Sequence, residues 1–106
     1  MEYINLTEHE IKVVNGESVI TFPPSGIVAR ISTNPVKISE DNGISLFKTE
    51  YGETTGLPDK KDNFYYIVSA LVRNGNKTRL DLVSPSSLLR DKNGVVIGCK
   101  GFDTNL

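Results

Sequence analysis

The chain has 106 residues, a formal net charge of -1 and an isoelectric point near 5.8. That length allows one domain with a single modest core, about two-thirds of the unfolded surface being hidden on folding. So balanced a charge gives no basic field for long nucleic acid, and no apolar run approaches the roughly 20 residues of a membrane-spanning helix.

In chain order, the first feature is Asn5-Leu6-Thr7-Glu8-His9-Glu10. Thr7 and Glu10 have the spacing of a helix-capping box, but Ile11 opens a strand pattern. The expected form is therefore an Asx- or ST-type turn, organised by Asn5 or Thr7 side chains bonding nearby backbone N–H groups. Residues 11–14 and 18–22 flank Asn15-Gly16 as a hairpin, and Pro23-Pro24-Ser25-Gly26 breaks it. Residues 27–32 read as a third strand, and 35–39 and 44–50 as a second hairpin around Asn42-Gly43. Such Asn-Gly pairs favour positive φ at both central positions. Residues 51–62 form the longest stretch without strand character, and a loop of that length is more often functional than idle.

Residues 65–69 are a continuous apolar run, the pattern of a strand covered on both faces. Residues 69–75 fit a short helix with Ser69 as N-cap and Gly75 just past its end, or a strand running to another Asn-Gly turn. The helix is favoured, because Ala70-Leu71 sits badly on an extended run and serine caps well. Residues 79–84 alternate, and 95–102 form the last strand after the turn Arg90-Asp91-Lys92-Asn93-Gly94. The expected fold is mainly β (α+β at most): one domain over 1–106, an antiparallel-rich sandwich or barrel-like unit with hairpins and one short helix near 69–75.

Few residues offer chemistry. His9 is the sole histidine and lacks the second histidine of a zinc-protease helix, so the metal reading fails. Cys99 is also alone, which rules out an intrachain disulfide and a cysteine-based zinc site. A His9–Cys99 nucleophilic pair requires their segments to be neighbours in a sheet. The plainer reading makes Cys99 a small buried hydrophobe and His9 a rim contact. The sequons at Asn5 and Asn76 carry no meaning without secretion, and the start Met1-Glu2-Tyr3 is not a signal peptide, so the expected location is cytoplasmic.

Glu50 and Glu53 flank Tyr51-Gly52, where paired carboxylates could do acid–base work or could be solvated loop charges. Gly52, Gly56 and Leu57-Pro58 suggest a shaped recognition loop in which Tyr51 could stack on a ring. Of the four arginines, Arg79 is placed to pair with Asp81 two residues on. Arg30 and Arg90 would make an anion site if they converged. Pro23-Pro24-Ser25-Gly26 and Asn74-Gly75-Asn76 offer backbone N–H groups of similar use, without matching a P-loop or dinucleotide fingerprint.

Taken together, residues 5–10 (NLTEHE), 24–30 (PSGIVAR), 51–58 (YGETTGLP), 66–72 (YIVSALV) and 90–102 (RDKNGVVIGCKGF) resemble a family of small proteins carried by bacteriophages, prophages and bacteria. The usual form of that family opens Asn-Leu-Thr-Pro-His, and Glu8 stands here in place of the proline, which loosens the turn. The resemblance implies a phage or prophage origin, and it brings no established enzyme activity with it. It places Asn5, Thr7, His9, Ser25, Arg30, Tyr51, Glu53, Ser69, Arg90 and Asp91 at positions where the family's polar residues recur.

The expected function is accordingly that of a binder, an accessory protein sequestering a nucleotide-derived second messenger of bacterial antiviral defence in the host cytoplasm. In that scheme Arg30 and Arg90 pair phosphate, Tyr51 stacks a base, and Glu53 or Asn5 holds hydroxyls. The alternatives are a protein-interaction or virion-associated module and a small nucleotide-degrading hydrolase using His9 and Glu53. No cofactor, metal or membrane is expected. The expected partners are a small nucleotide and further copies of the chain, since small domains often complete a pocket across a symmetric interface.

Overall fold

Eight strands and one short helix make up the computed structural model, which describes residues 1–106. The strands are β1 (Glu2–Asn5), β2 (Ile11–Asn15), β3 (Ser18–Phe22), β4 (Arg30–Asp41), β5 (Ile44–Thr55), β6 (Phe64–Ile67), β7 (Leu82–Arg90) and β8 (Val96–Thr104), with α1 (Ala70–Asn74) between β6 and β7. The protein is thus a small, mainly β domain, as its strand-rich sequence predicts.

Six strands form one sheet in the order β1-β6-β7-β8-β2-β3, and β4-β5 form a separate two-stranded hairpin. Antiparallel pairs supply most of the ladder, but three links in the main sheet are parallel: β1–β6, β6–β7 and β2–β8. An isolated bridge between Asn5 and Pro24, with the Ser25 N–H donating to the Asn5 carbonyl at 3.0 Å, brings β1 toward the end of β3. The sheet therefore curls into a half-barrel rather than lying open.

The apolar run at 65–69 is explained by this order. β6 lies between two parallel neighbours, and Tyr66, Ile67 and Val68 are all buried. Leu6, Ala29, Tyr66, Val68, Val72 and Leu82 form the core, with Ile4, Ile31 and Leu57 packed at its edge. The alternate residues carry a second cluster. Tyr3 pairs in register with Tyr65, and Tyr3 also meets Phe22 and Phe102, with ring centroids 5.3–5.6 Å apart.

Two local expectations hold closely. Residues 11–15 and 18–22 form the first hairpin, and Ser69 caps α1, its hydroxyl accepting the Val72 N–H at 3.2 Å. Gly75 ends the helix in a right-handed conformation (φ -79°), so no left-handed cap is used. Positive φ at both central residues occurs only at Asn42-Gly43; at 15–16 and 93–94 the glycine alone adopts it.

Other boundaries shift. The segments 27–32 and 35–39 are one strand that begins at Arg30 and runs through Pro35 to Asp41. β5 continues to Thr55, so Tyr51 and Glu53 sit on a strand and the irregular stretch shrinks to the residues before β6. β7 starts at Leu82, leaving Arg79 and Asp81 in the preceding turn. β1 itself gives too short a run to be read from the sequence.

The β4–β5 hairpin leaves the body as an arm. Its base is held where Asn76 Nδ2 donates to Thr54 Oγ1 at 2.9 Å and where Gly75 lies against Ile31 and Tyr51. Beyond that, Ile38, Ile44, Leu46 and Phe47 are exposed. The radius of gyration is 16.1 Å, against about 13 Å for a compact chain of this length.

Candidate functional site

The site begins with Asn5, which is only 2% exposed. Its amide nitrogen donates to the carbonyls of His9 (2.8 Å) and Phe22 (3.0 Å), and its oxygen accepts the Thr7 N–H at 2.9 Å. The Thr7 hydroxyl donates to the same oxygen at 2.7 Å, with the His9 carbonyl 3.0 Å away as its other acceptor. This is the Asx-type turn that the sequence predicts, and it uses all the hydrogen-bonding capacity of the Asn5 side chain. Asn5 thereby fixes the backbone of His9. The His9 imidazole takes no hydrogen bond within the chain and is exposed.

Beside this loop lies a groove of about 610 Å³, in the size range of small-molecule sites. Thr7, His9 and Ser69 rim it. Its apolar wall comes from three strands and the residue after a fourth, Ile11 of β2, Leu88 of β7, Val96, Ile97 and Cys99 of β8, and Val68 after β6, while Glu10 and Lys12 add an ion pair to the lining. A smaller hollow of about 270 Å³ on the other side of the loop shares Thr7, His9 and Ser69 and adds Glu8 and Arg30. The three shared residues therefore form a polar ridge between two concavities. Ser69 is exposed, and because its oxygen only accepts from Val72, its O–H proton stays available.

Charge near the groove is balanced. Lys12 stands 3.7 Å from Glu10, and Arg30 is hydrogen-bonded to Glu8. That guanidinium holds the Glu8 carboxyl below its ordinary value, through the hydrogen bond first and the opposite charge second. Cys99 is 1% exposed, and its thiol donates to the Lys12 carbonyl at 3.5 Å. β8 and β2 are indeed neighbours, with Val13 opposite Cys99, so the histidine and the cysteine share one groove. The buried thiol serves as apolar wall.

The ten residues singled out from the sequence thus divide by place. Thr7, His9 and Ser69 come together, with Arg30 on the neighbouring hollow. Asn5 lies buried beneath them, and Ser25 is exposed outside both hollows: its N–H bonds the Asn5 carbonyl, and its hydroxyl lies 3.4 Å from the Ile27 N–H. Tyr51 and Glu53 are on the arm. Arg90 and Asp91 build the β7–β8 turn, where Arg90 donates to the Gly94 carbonyl at 2.9 Å and Asp91 accepts the N–H groups of Asn93 and Val95. Arg30 and Arg90 thus have separate partners, and Arg90 lines neither of these two hollows.

Arg73 and Arg79 are occupied elsewhere. Arg73 bonds Ser84 and Asn105, and Arg79 makes the expected pair with Asp81 through two hydrogen bonds of 2.9 and 2.8 Å. Sequence reasoning missed the groove's apolar wall. Its signal was the run Val95-Val96-Ile97 directly after a turn, all three exposed in the fold. No helix is long and apolar enough to cross a membrane. Comparison with protein-family models, curated proteins and solved structures finds no match to this chain, so the phage-family resemblance stands on its sequence blocks alone.

Proposed function

We propose that the protein is a binding module that takes a small nucleotide-derived ligand in the groove rimmed by Thr7, His9 and Ser69. The observation that carries this reading is the meeting of those three residues, from two distant chain segments, above an apolar floor. An apolar wall suits the face of a base, and an imidazole with two hydroxyls suits ribose hydroxyls or a phosphate oxygen. Because each nearby cation already faces a carboxylate, the groove favours a ligand of low charge over a polyphosphate.

The use we propose for this binding is sequestration of a nucleotide second messenger made by bacterial antiviral defence, in a phage or prophage setting. The support for that finer step is the resemblance of the five sequence blocks. A binder is favoured over a hydrolase because Glu53, the carboxylate proposed to work with His9, lies on the arm and lines neither hollow.

The test is direct. The protein is incubated with cyclic and ADP-ribose-derived nucleotides, freed of unbound ligand and denatured by heat, and the released material is analysed by mass spectrometry. Intact ligand supports sequestration, altered ligand replaces it with catalysis, and no retention across the panel overturns both. A protein-interaction role is favoured by one separate observation, the exposed apolar arm.

A further inference from the structure

The arm has two outer edges, and the chain treats them differently. β4 carries Pro35, which has no N–H, and the extra residue of the bulge at Lys37–Ser39; the extra residue of the other bulge, opposite Ile31–Thr33, lies in β5 at Gly52–Glu53, beyond Tyr51. Proline and bulges are the devices by which proteins blunt a free strand edge. β5 contains no proline, and from Ile44 to Tyr51 it has no extra residue of its own. Every residue from Ile44 to Glu53 is exposed. An isolated two-stranded hairpin is marginal in water, so an arm of this length calls for a partner along its open edge.

The sequence of that edge identifies the partner. Residues 47–51 read Phe-Lys-Thr-Glu-Tyr. Laid antiparallel against a second copy of itself about Thr49, Phe47 faces Tyr51, Lys48 faces Glu50, and Thr49 faces Thr49. Aromatic pairs, opposite charges and Thr–Thr contacts are the cross-strand pairs that stabilise antiparallel sheets. Here each arises twice, or once on the axis. Lys48 and Glu50 have no ion-pair partner within their own chain, and Phe47 and Tyr51 remain 60% and 40% exposed. Shifting the register by one residue to either side of Thr49 loses both the charge match and the aromatic match.

Surface area points the same way. The chain exposes 7239 Å², whereas a compact monomer of its mass would expose about 5,900 Å². The surplus, roughly 1,300 Å², exceeds the about 800 Å² that each partner hides in a standard stable interface. We propose that two copies of this chain pair through β5, antiparallel about a two-fold axis at Thr49, joining their arms into one four-stranded sheet β4-β5-β5-β4. The pairing is independent of the groove and of any ligand in it.

Light scattering and sedimentation of the full chain at micromolar concentration should give twice the chain mass of 11.7 kDa. Lys48→Glu sets a carboxylate against the partner's Glu50 at two symmetric places, and Glu50→Lys sets an ammonium against the partner's Lys48. Either change should weaken dimerisation by about tenfold or more, whereas the double exchange restores opposite charges and should restore the dimer.

Thr49→Cys should cross-link the two copies under mild oxidation. Directly opposed residues of an antiparallel pair lie about 4.5–5.5 Å apart at Cα, within disulfide reach. Lys92→Glu, on the β7–β8 turn, should leave the dimer intact. Circular dichroism confirms that each variant is folded. A monomeric parent chain overturns the proposal, as does a dimer indifferent to both single inversions. A double exchange that stays monomeric overturns it as well.

Discussion

The side-chain amide of Asn5 donates to the carbonyl of Phe22 at 3.0 Å, and so ties the end of β1 to the end of β3. The same nitrogen holds the His9 carbonyl, and the oxygen holds Thr7. Asn5→Ala takes a donor from the Phe22 and His9 carbonyls and the acceptor from the Thr7 N–H; the Thr7 hydroxyl can still serve the His9 carbonyl, and each remaining loss carries a desolvation penalty. We expect a loss of about 2–4 kcal/mol in urea denaturation, with the denaturant slope unchanged. Asn5→Asp should cost no less, since it removes both donors and sets a carboxylate against two carbonyls.

The pair Arg79–Asp81 makes stability depend on acid. The Arg79 hydrogen bonds hold the Asp81 carboxyl below its ordinary value, outweighing the upward push of burial. A carboxylate with a depressed folded pKa contributes stability above its unfolded pKa, near 4, and loses it as pH falls through the folded value. Stability should therefore be flat from pH 7 to about 5 and fall below about 4. In Asp81→Asn that acid-dependent part should shrink, and at pH 7 the variant should be about 1–3 kcal/mol less stable, because a half-sheltered guanidinium loses its counter-charge. Chemical denaturation of both proteins at pH 7, 5 and 3 measures the difference.

Two glycines separate strain from collision. Gly43 and Gly56 both have positive φ, 80° and 74°. A Cβ at Gly43 would meet nothing, whereas one at Gly56 would stand 2.2 Å from the Val28 carbonyl oxygen. Gly43→Ala should cost about 1–2 kcal/mol from backbone strain alone. Gly56→Ala should cost more, about 3 kcal/mol or above, because main chain must also move. Thermal melting of the pair gives the ordering, and equal losses would contradict it.

His9→Ala should separate binding from folding. The imidazole makes no hydrogen bond inside the chain, so stability should stay within about 0.5 kcal/mol of the parent. Retention of a nucleotide by the groove should be lost, whereas Lys92→Ala, on the β7–β8 turn and outside the groove lining, should keep it. Mass spectrometry of released ligand and a denaturation curve, made on the same samples, are the two readouts.

Local chemistry was legible in the sequence wherever one residue decides its own surroundings. The Asn42-Gly43 turn, the Ser69 cap and the Asn5–Thr7 turn each follow from a side chain and its nearest backbone groups. The pairing of 35–39 with 44–50 follows from the sequence, but the continuity of β4 back to Arg30 does not, because proline interrupts strands except where, as here, the strand is an edge. The parallel links left only the apolar run of β6 as their mark, since which strand lies beside β6 or β2 depends on crossovers rather than on neighbours. The groove stayed hidden for the same reason, its wall being assembled from β2, β7 and β8 together.

The placement of β8 bears on how the chain reaches this state. Lys12 and Cys99 touch across 87 positions of sequence, and β2 cannot join the main sheet until β8 is laid against β7. Meanwhile the two hairpins around Gly16 and Gly43 need only local contacts and can close within microseconds. A chain dominated by such distant pairings folds over milliseconds to seconds. The arm can thus close transiently while the body is still searching, but it gains its anchor, Asn76 on Thr54, only when the segment after α1 is in place.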